Sequence, residues 1–441
     1  MGEPDAATDA SMGVWRIGVL GVMGWVLAAC DGSGSGSGAG GAGGVGGQTG
    51  GGGATASTSA SDGGNGGSGG DGGNGATGGA GGAGGAGGAT TTTSGEGGGG
   101  GFKKYLVVFA GGTDGMFGAE LEADGSGWQT YPVAGATDFQ PAVFSYLEGV
   151  NQTLGVFRSS ADGTIHAAEW SPGGFAAPAS LGPGFASKGE PSLSRDLVFQ
   201  SADSTYRRAI HQGPGMGFGT PTQVVWFDGN GAPVKTEGAG PAAYIAAGGF
   251  SHLGFVGDDG TMYMQTDDVM GWLAPAPLGD PGAASQRPTL GDYFPWTIAA
   301  WPTSTGQVLY SKQDVFEPFA PATLVPGVTT NDPVTMTGMF NSLFLAYRGT
   351  DDQVRVARMA SAASDEWSAP DIIGGGVSTA AVPALTYGFG SGYPEAELVF
   401  IAADTGALHH SRWANGTWTE PELVGGSGLQ HVSITTVLYK Q

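Results

Sequence analysis

The sequence predicts an all-β fold, a seven-bladed β-propeller over residues 102–441 that follows a disordered Gly-rich tether. Three observations predict it: a unit that recurs about every 48 residues, a turn that marks seven copies of the unit, and two chain ends that complete each other. The unit is clearest at Leu154–Gly182 and Leu398–Gly425, where an apolar strand, an Asp/Gly turn, an alternating strand and an aromatic residue follow one another. Seven units of four short strands are typical of a propeller.

The turn between the two central strands of each unit can be followed along the chain. Asp-Gly and related pairs favour tight hairpin turns, because Gly adopts positive φ freely and Asp can bond to its own backbone. The seven copies are Thr113-Asp114-Gly115, Ala161-Asp162-Gly163, Ala202-Asp203-Ser204, Asp258-Asp259-Gly260, Ser304-Thr305-Gly306, Thr350-Asp351-Asp352 and Asp404-Thr405-Gly406. They predict one hairpin in each blade.

An aromatic residue follows each hairpin, and a strand often opened by proline precedes it. The aromatic residues are Trp128, Phe175, Phe218, Trp272, Phe319, Trp367 and Trp418. We expect them to pack between neighbouring blades. The first unit begins at Tyr105 without an opening strand, whereas His431–Leu438 is a strand without a unit of its own. We therefore expect the last strand to complete the first blade, which removes exposed sheet edges.

Residues 1–29 form a predicted signal peptide with an apolar core at Ile17–Ala29 and a basic flank at Arg16. Acidic residues precede this core, so we expect the true start at Met12. The segment closes in Leu27-Ala28-Ala29-Cys30, which resembles the lipobox of bacterial lipoproteins. The resemblance implies cleavage before Cys30, lipidation of its thiol, and a protein exported and anchored to the cell envelope, periplasmic or at the surface. A simple secretory signal and a short membrane anchor are the alternatives.

Residues 30–101 follow the lipobox and consist almost wholly of Gly, Ala, Ser and Thr. Such a segment has almost no large apolar side chain to offset its ordering entropy, so we expect it to be disordered. A Gly-rich coil of this length has a root-mean-square reach of roughly 45 Å. The tether would hold the propeller near a membrane through the lipid on Cys30.

Composition narrows the possible functions of the domain. After residue 101 there are 15 Lys and Arg against 32 Asp and Glu, so the formal charge is 15 − 32 = −17. Because phosphate backbones require clustered positive charge, we expect no binding to nucleic acid. Cys30 is the only cysteine, which excludes an intramolecular disulfide and Cys-based catalysis. We expect a monomer with no cofactor and no metal site.

The Asp-x-Gly turn and the Trp-x-x-Pro ending of the unit resemble two propeller groups, the fucose-binding lectins and the sialidase-like folds. The resemblance covers Phe102–Gln441 and implies a carbohydrate ligand. Lectins of this shape hold a sugar against a Trp or Tyr ring, with hydrogen bonds from Arg and Glu, between blades. Two equivalent stretches of the repeat offer such side chains, and the predicted sugar-binding residues are His166, Glu169, Trp170, His409, Arg412 and Trp413.

A divergent glycoside hydrolase and a protein-interaction platform are the alternatives to a binding module. The Arg-Ile-Pro motif of sialidases is missing, and the turns do not reproduce that family's full Asp-box. Hydrolysis also needs an acid and a nucleophile at one place, and the sequence marks no blade with inserted titratable loops. We therefore predict a binding module for glycans or envelope polysaccharide and assign no catalytic residue.

Overall fold

The computed structural model describes residues 102–123, 127–146, 152–224, 242–245, 251–268, 271–280, 282–293, 295–314, 317–339, 342–361, 365–388 and 396–440. The predicted signal peptide, Cys30 and the tether lie outside the described residues. In the described part of the chain, no helix is long and apolar enough to cross a membrane.

The described residues form 31 strands and two 3-10 turns, η1 (Pro183–Phe185) and η2 (Ile373–Gly375). The first half of the chain contains β1 (Phe102–Gly112), β2 (Gly115–Glu122), β3 (Gln129–Val133), β4 (Ala142–Tyr146), β5 (Gln152–Arg158), β6 (Ile165–Ser171), β7 (Gly174–Phe175), β8 (Ala179–Ser180), β9 (Ser192–Leu193), β10 (Asp196–Gln200), β11 (Tyr206–Ile210), β12 (Thr222–Gln223), β13 (Ala242–Ile245), β14 (Ser251–Val256), β15 (Met262–Asp268), β16 (Gly271–Trp272) and β17 (Ala276–Pro277). The second half contains β18 (Thr289–Tyr293), β19 (Trp296–Pro302), β20 (Gln307–Asp314), β21 (Thr323–Thr329), β22 (Thr335–Met339), β23 (Ser342–Arg348), β24 (Val354–Met359), β25 (Asp371–Ile372), β26 (Ala384–Tyr387), β27 (Ala396–Ile401), β28 (Leu408–Ala414), β29 (Thr417–Trp418), β30 (Glu422–Gly425) and β31 (His431–Lys440).

These strands pair into seven antiparallel sheets, which are the seven predicted blades. From the inner to the outer strand, blade 1 is β31-β1-β2-β3, blade 3 is β9 to β12, blade 5 is β18 to β21 and blade 6 is β22 to β25. Blades 2 (β4 to β8), 4 (β13 to β17) and 7 (β26 to β30) have an outer edge divided into two short strands. The prediction of an all-β, seven-bladed propeller is confirmed.

The C-terminal strand closes the ring by completing blade 1. β31 pairs with β1 over its whole length, with Tyr105 opposite Val437 and Phe109 opposite Ser433. β31 also contacts the inner strands of blades 2 and 7. Val432 is fully buried and Val437 nearly so. The predicted complementarity of the two ends is therefore confirmed, and we call the junction between blades 7 and 1 the seam.

All seven predicted turns lie between the second and third strands of their blades. The third residue of six of them has a φ between 62° and 77°, including Ser204 and Asp352, which stand where the other copies have Gly. The carboxylate of Asp162 accepts hydrogen bonds from the backbone and hydroxyl of Thr164, and Asp203 does the same with Thr205. The Asp203 copy, where Ser204 replaces the glycine, therefore keeps the same Asx bonding as the Asp162 copy, which has Gly163.

The core is divided among the seven junctions between blades. Each junction contains one cluster of buried apolar side chains contributed by both blades. The seven repeated aromatic residues, from Trp128 to Trp418, each pack against the cluster between their own blade and the preceding one. Their predicted packing role is confirmed, and both faces of a blade are covered by protein.

Candidate functional site

Trp170, predicted as a stacking ring, lies in the core at the junction of blades 1 and 2. Its side chain is only 1% exposed, and its Nε1 donates a 2.9 Å hydrogen bond to Glu120. The ring packs edge-on against Tyr105 and Tyr439, with centroids 5.3 and 6.1 Å away. A ring enclosed in this way has no face for a sugar, so we assign Trp170 to packing. Its neighbour His166 contacts the turn carboxylate of Asp162 at 3.1 Å.

Trp413, the equivalent ring in blade 7, is also buried. It packs against Phe344 and Trp418 at the junction of blades 6 and 7, and the guanidinium of Arg358 lies 5.4 Å from its centre. His409 stacks on Phe400, and burial lowers the pKa of its imidazole. These contacts give both residues structural roles. Of the six predicted residues, Glu169 is exposed and Arg412 is half-exposed.

Arg412 belongs to a set of polar side chains at the seam that we call the seam cluster: Trp128, Glu397, His410, Arg412 and Glu422. Glu397 is fully buried in β27, where its two oxygens accept hydrogen bonds from Arg412 Nε (2.7 Å) and His410 Nε2 (2.8 Å). His410 Nδ1 lies 2.8 Å from Glu422 on the outer strand β30. The cluster thus leads from the core of blade 7 to its surface.

Trp128 joins the seam cluster from blade 1. Its Nε1 donates a 3.0 Å hydrogen bond to Glu422, and its ring stands edge-on to His410 with centroids 5.1 Å apart. Trp128 is half-buried, whereas the Glu422 side chain is 57% exposed. The seam therefore presents an indole ring beside an accessible carboxylate.

The charges of the seam cluster follow from its geometry. Both ring nitrogens of His410 lie 2.8 Å from carboxylate oxygens, Nε2 from Glu397 and Nδ1 from Glu422. Burial would raise the pKa of Glu422, but hydrogen bonds from His410 and Trp128 outweigh it and hold this pKa below the usual value. In the described residues no group of His, Asp and Glu side chains is arranged to hold a metal ion.

Blades 3 and 4 carry a related arrangement at the same repeat positions. Asp196 stands where Glu397 stands in blade 7, and it accepts a 2.6 Å hydrogen bond from Arg208, which stands where His410 does. Trp272 of blade 4 takes the place of Trp128, 5.2 Å from the Arg208 guanidinium. Here Asp196 is only 9% exposed and Arg208 only 20%. This second cluster is less open than the seam.

The Glu397 position of blade 4 is occupied by a buried histidine, His252. Its Nδ1 lies 3.0 Å from the hydroxyl of Thr266, and burial lowers its pKa to about 4. An unfolded histidine has a pKa of about 6.5, so the unfolded state binds the proton more readily and stability falls as the pH drops from about 6.5 towards 4.

We expect this histidine to make the folded domain sensitive to mild acid. Lowering the pH from 7.5 to 5 should remove about 2 kcal/mol of unfolding free energy through His252 alone. Urea unfolding of the wild type and of His252→Gln at both pH values measures this effect. The contribution of His252 is the loss of unfolding free energy in the wild type minus the loss in the variant. The half-exposed His409, replaced in the same way, should show a smaller difference. Equal pH dependence in wild type and His252→Gln would contradict this assignment.

Comparison with known proteins identifies the fold. No protein-family model and no curated protein matches the chain. A lectin from Burkholderia pseudomallei superposes with a TM-score of 0.62 at 17% sequence identity, covering 73% of this chain and 95% of that one. The lectin of Aleuria aurantia, a six-bladed propeller with a described mode of fucose recognition, reaches a TM-score of 0.44 at 12% identity over 65% of this chain and 96% of its own.

Lectins are thus among the structural neighbours of this propeller. At 17% identity the likeness to the Burkholderia lectin shows the fold alone. The site has to be argued from the side chains of this chain, and only Arg412 among the seam cluster was a predicted binding residue. Glu397, His410 and Glu422 were not predicted, although Glu397 interrupts an otherwise apolar strand and His410 adjoins the noted His409.

Proposed function

We propose that the propeller is a carbohydrate-binding module and that the seam cluster is its principal site. The observation that carries the proposal is that one buried network holds two accessible charged groups, Glu422 and Arg412, and that Glu422 contacts the half-buried ring of Trp128. The buried Glu397 holds Arg412 and, through His410, Glu422. Such prior ordering reduces the entropy lost when a ligand binds.

The chemistry of the seam cluster suits sugar hydroxyls. Both hydrogen bonds to Glu422 use Oε1, which leaves Oε2 as an acceptor for a ligand. Arg412 uses Nε towards Glu397, which leaves its two terminal amino groups as donors. The indole of Trp128 offers an apolar surface to the C–H face of a sugar ring. The lectin-like neighbours support the same ligand class.

Glycoside hydrolysis is the second candidate function. The lowered pKa of Glu422 argues against hydrolysis at this site. A general acid needs a carboxyl whose pKa is raised towards the working pH. The pKa of Glu422 is instead lowered, since hydrogen bonds from His410 and Trp128 outweigh its burial, and Glu397 is covered completely. The carboxylate of Glu422 is therefore suited to accepting hydrogen bonds from a ligand and not to protonating a leaving group.

A glycan array with the full chain, run beside fluorogenic glycosides, tests this proposal. We expect binding without turnover. Glu422→Ala should weaken binding about 10- to 100-fold, because hydrogen bonds to charged groups contribute about 1.5–3 kcal/mol. Trp128→Ala should weaken it as well. Glu366→Ala, which removes an exposed glutamate beside the equivalent aromatic residue of blade 6, is the matched control and should change nothing.

Sugar binding that survives Glu422→Ala and Trp128→Ala would move the site elsewhere. The exposed Glu169 of blade 2 remains a predicted binding residue for that case. Turnover of a glycoside would favour the hydrolase. If the protein binds no glycan on the array, a protein-interaction platform would be favoured.

We propose in addition that the module acts while anchored to the cell envelope through a lipid on Cys30. The lipobox-like segment and the Gly-rich residues after it support this reading of the sequence. The full chain, expressed in a bacterium that lipidates exported proteins, should partition into detergent, and mass spectrometry should find acyl groups on Cys30. Cys30→Ser should shift the protein into the aqueous fraction. Detergent partitioning that is the same in both proteins would contradict lipid anchoring at this residue.

A further inference from the structure

The seam differs from three other junctions in the residue at its outer end. In blades 3, 6 and 7 a proline three residues after the repeated aromatic, Pro221, Pro370 or Pro421, lies over a glycine in the loop of the preceding blade. A Cβ built on Gly374 would be 2.6 Å from Pro421 and one on Gly327 would be 3.4 Å from Pro370. In blade 1 this position is Tyr131, whose ring points to the junction with blade 2. The seam therefore lacks the proline that closes these other junctions.

A cavity of about 330 Å³ lies at the outer end of the seam. Its walls include Phe117 and Thr130 of blade 1 and the loop with Ser427 and Gly428 after β30. Asp114 of the first hairpin turn adds a carboxylate at the rim. The cavity thus combines an aromatic ring with hydroxyl and carboxylate groups.

The cavity and the seam cluster lie along the same pair of strands. Side chains alternate along a strand, so Trp128, Thr130 and Pro132 share the face of β3 that looks towards blade 7. The distance from residue 128 to residue 132 is about 13 Å at the usual rise of a strand. On the opposite side, Glu422 contacts Trp128 at one end, while Gly425 faces Thr130, with a built Cβ 3.5 Å from its methyl group.

We propose that the seam is an extended groove that binds an internal stretch of a linear oligosaccharide chain, with one unit at Trp128 and Glu422 and further units reaching the cavity at Asp114 and Ser427. This inference rests on the proposed carbohydrate-binding function and specifies its ligand. A single sugar would occupy only the Trp128 end. A linear chain would also use Thr130, Ser427 and the carboxylate of Asp114, all of which are exposed.

Affinity as a function of chain length tests the groove. The probes are linear oligosaccharides of glucose, xylose and N-acetylglucosamine with one to six units, and the same length series of the glycan that ranks first in the array, titrated calorimetrically into the full chain. We expect affinity to rise at least 10-fold between one and four units and then to level off. Extension past the cavity should add nothing further.

Two variants fill the cavity end without touching the seam cluster. Thr130→Trp and Ser427→Tyr should abolish the gain with chain length while leaving the affinity for a single unit within about threefold of wild type. Gln223→Trp, which places the same bulk on the exposed outer strand of blade 3, is the control and should keep the gain. Thermal unfolding of each variant verifies that it is folded.

The outcomes separate this inference from the proposed function. Equal affinity for one unit and six units, or a full gain with chain length in both filled variants, would overturn the groove while leaving a carbohydrate-binding site intact. Failure of every glycan to bind would overturn both. The groove predicts two results. Glu422→Ala should lose binding of a single unit, whereas Thr130→Trp should lose only the increase in affinity with chain length.

Discussion

A chain truncated after Gln430 is expected to show no cooperative unfolding transition. The truncation removes β31, the innermost strand of blade 1, whose Val432, Ile434 and Val437 are at most 7% exposed. Burial of three such side chains contributes about 5–9 kcal/mol before any ladder hydrogen bond is counted. A whole domain is stable by only about 5–15 kcal/mol. Loss of the strand also opens the ring and exposes the edge of β1.

Circular dichroism and differential scanning calorimetry measure this effect. A peptide of residues 431–441 added to the truncated chain should restore the transition, since the missing strand pairs antiparallel with β1 along its whole length. Removal of residues 440–441 alone is the control and should cost little, because Lys440 is exposed. A truncated chain with a sharp wild-type transition would show that blade 1 does not need its C-terminal strand.

Replacement of Glu397 by alanine is expected to reduce the unfolding free energy by about 3–5 kcal/mol. Removing one partner of a buried ion pair leaves the other charge uncompensated, and this is the costly step. Here the His410 side chain, 5% exposed, would lose the oxygen at 2.8 Å and Arg412 would lose its own. Urea unfolding at neutral pH measures the loss.

Two further variants separate charge from packing at this position. Arg412→Ala should cost less than Glu397→Ala, since the Arg412 side chain is 36% exposed and its removal leaves Glu397 still bonded to His410. The double variant Glu397→Leu with His410→Leu replaces both buried polar side chains by apolar ones and should recover part of the loss. A cost below 1 kcal/mol for Glu397→Ala would mean that the buried contacts contribute little to stability.

The architecture could be predicted from the sequence because its signals are local. Each hairpin is specified by two or three adjacent residues, such as Asp162 and Gly163, whose backbone preferences do not depend on the rest of the chain. Repetition then supplies the number of blades. The closure by β31 was predictable for a similar reason, since the first unit lacks one strand and the last strand has no unit.

The candidate site could be predicted only in part, because alternation along a strand does not mark a solvent face in a propeller. In a sheet with one solvent-exposed face, every second side chain is accessible to solvent. In such a sheet Trp170 could be on the exposed face and open to a ligand. In this ring both faces of each blade lie against neighbours, so Trp170 and Trp413 are core residues. The contact that defines the seam joins Trp128 and Glu422, which are 294 residues apart.

Hydrogen exchange of the full chain, with and without the glycan that the array ranks first, tests the carbohydrate site at the seam most directly. We predict that the ligand slows exchange of amides in residues 127–133 and 417–425, which face each other across the seam, and leaves the equivalent strands of blades 2 and 5 unchanged. Protection confined to other blades, with none at the seam, would contradict the assignment of the site.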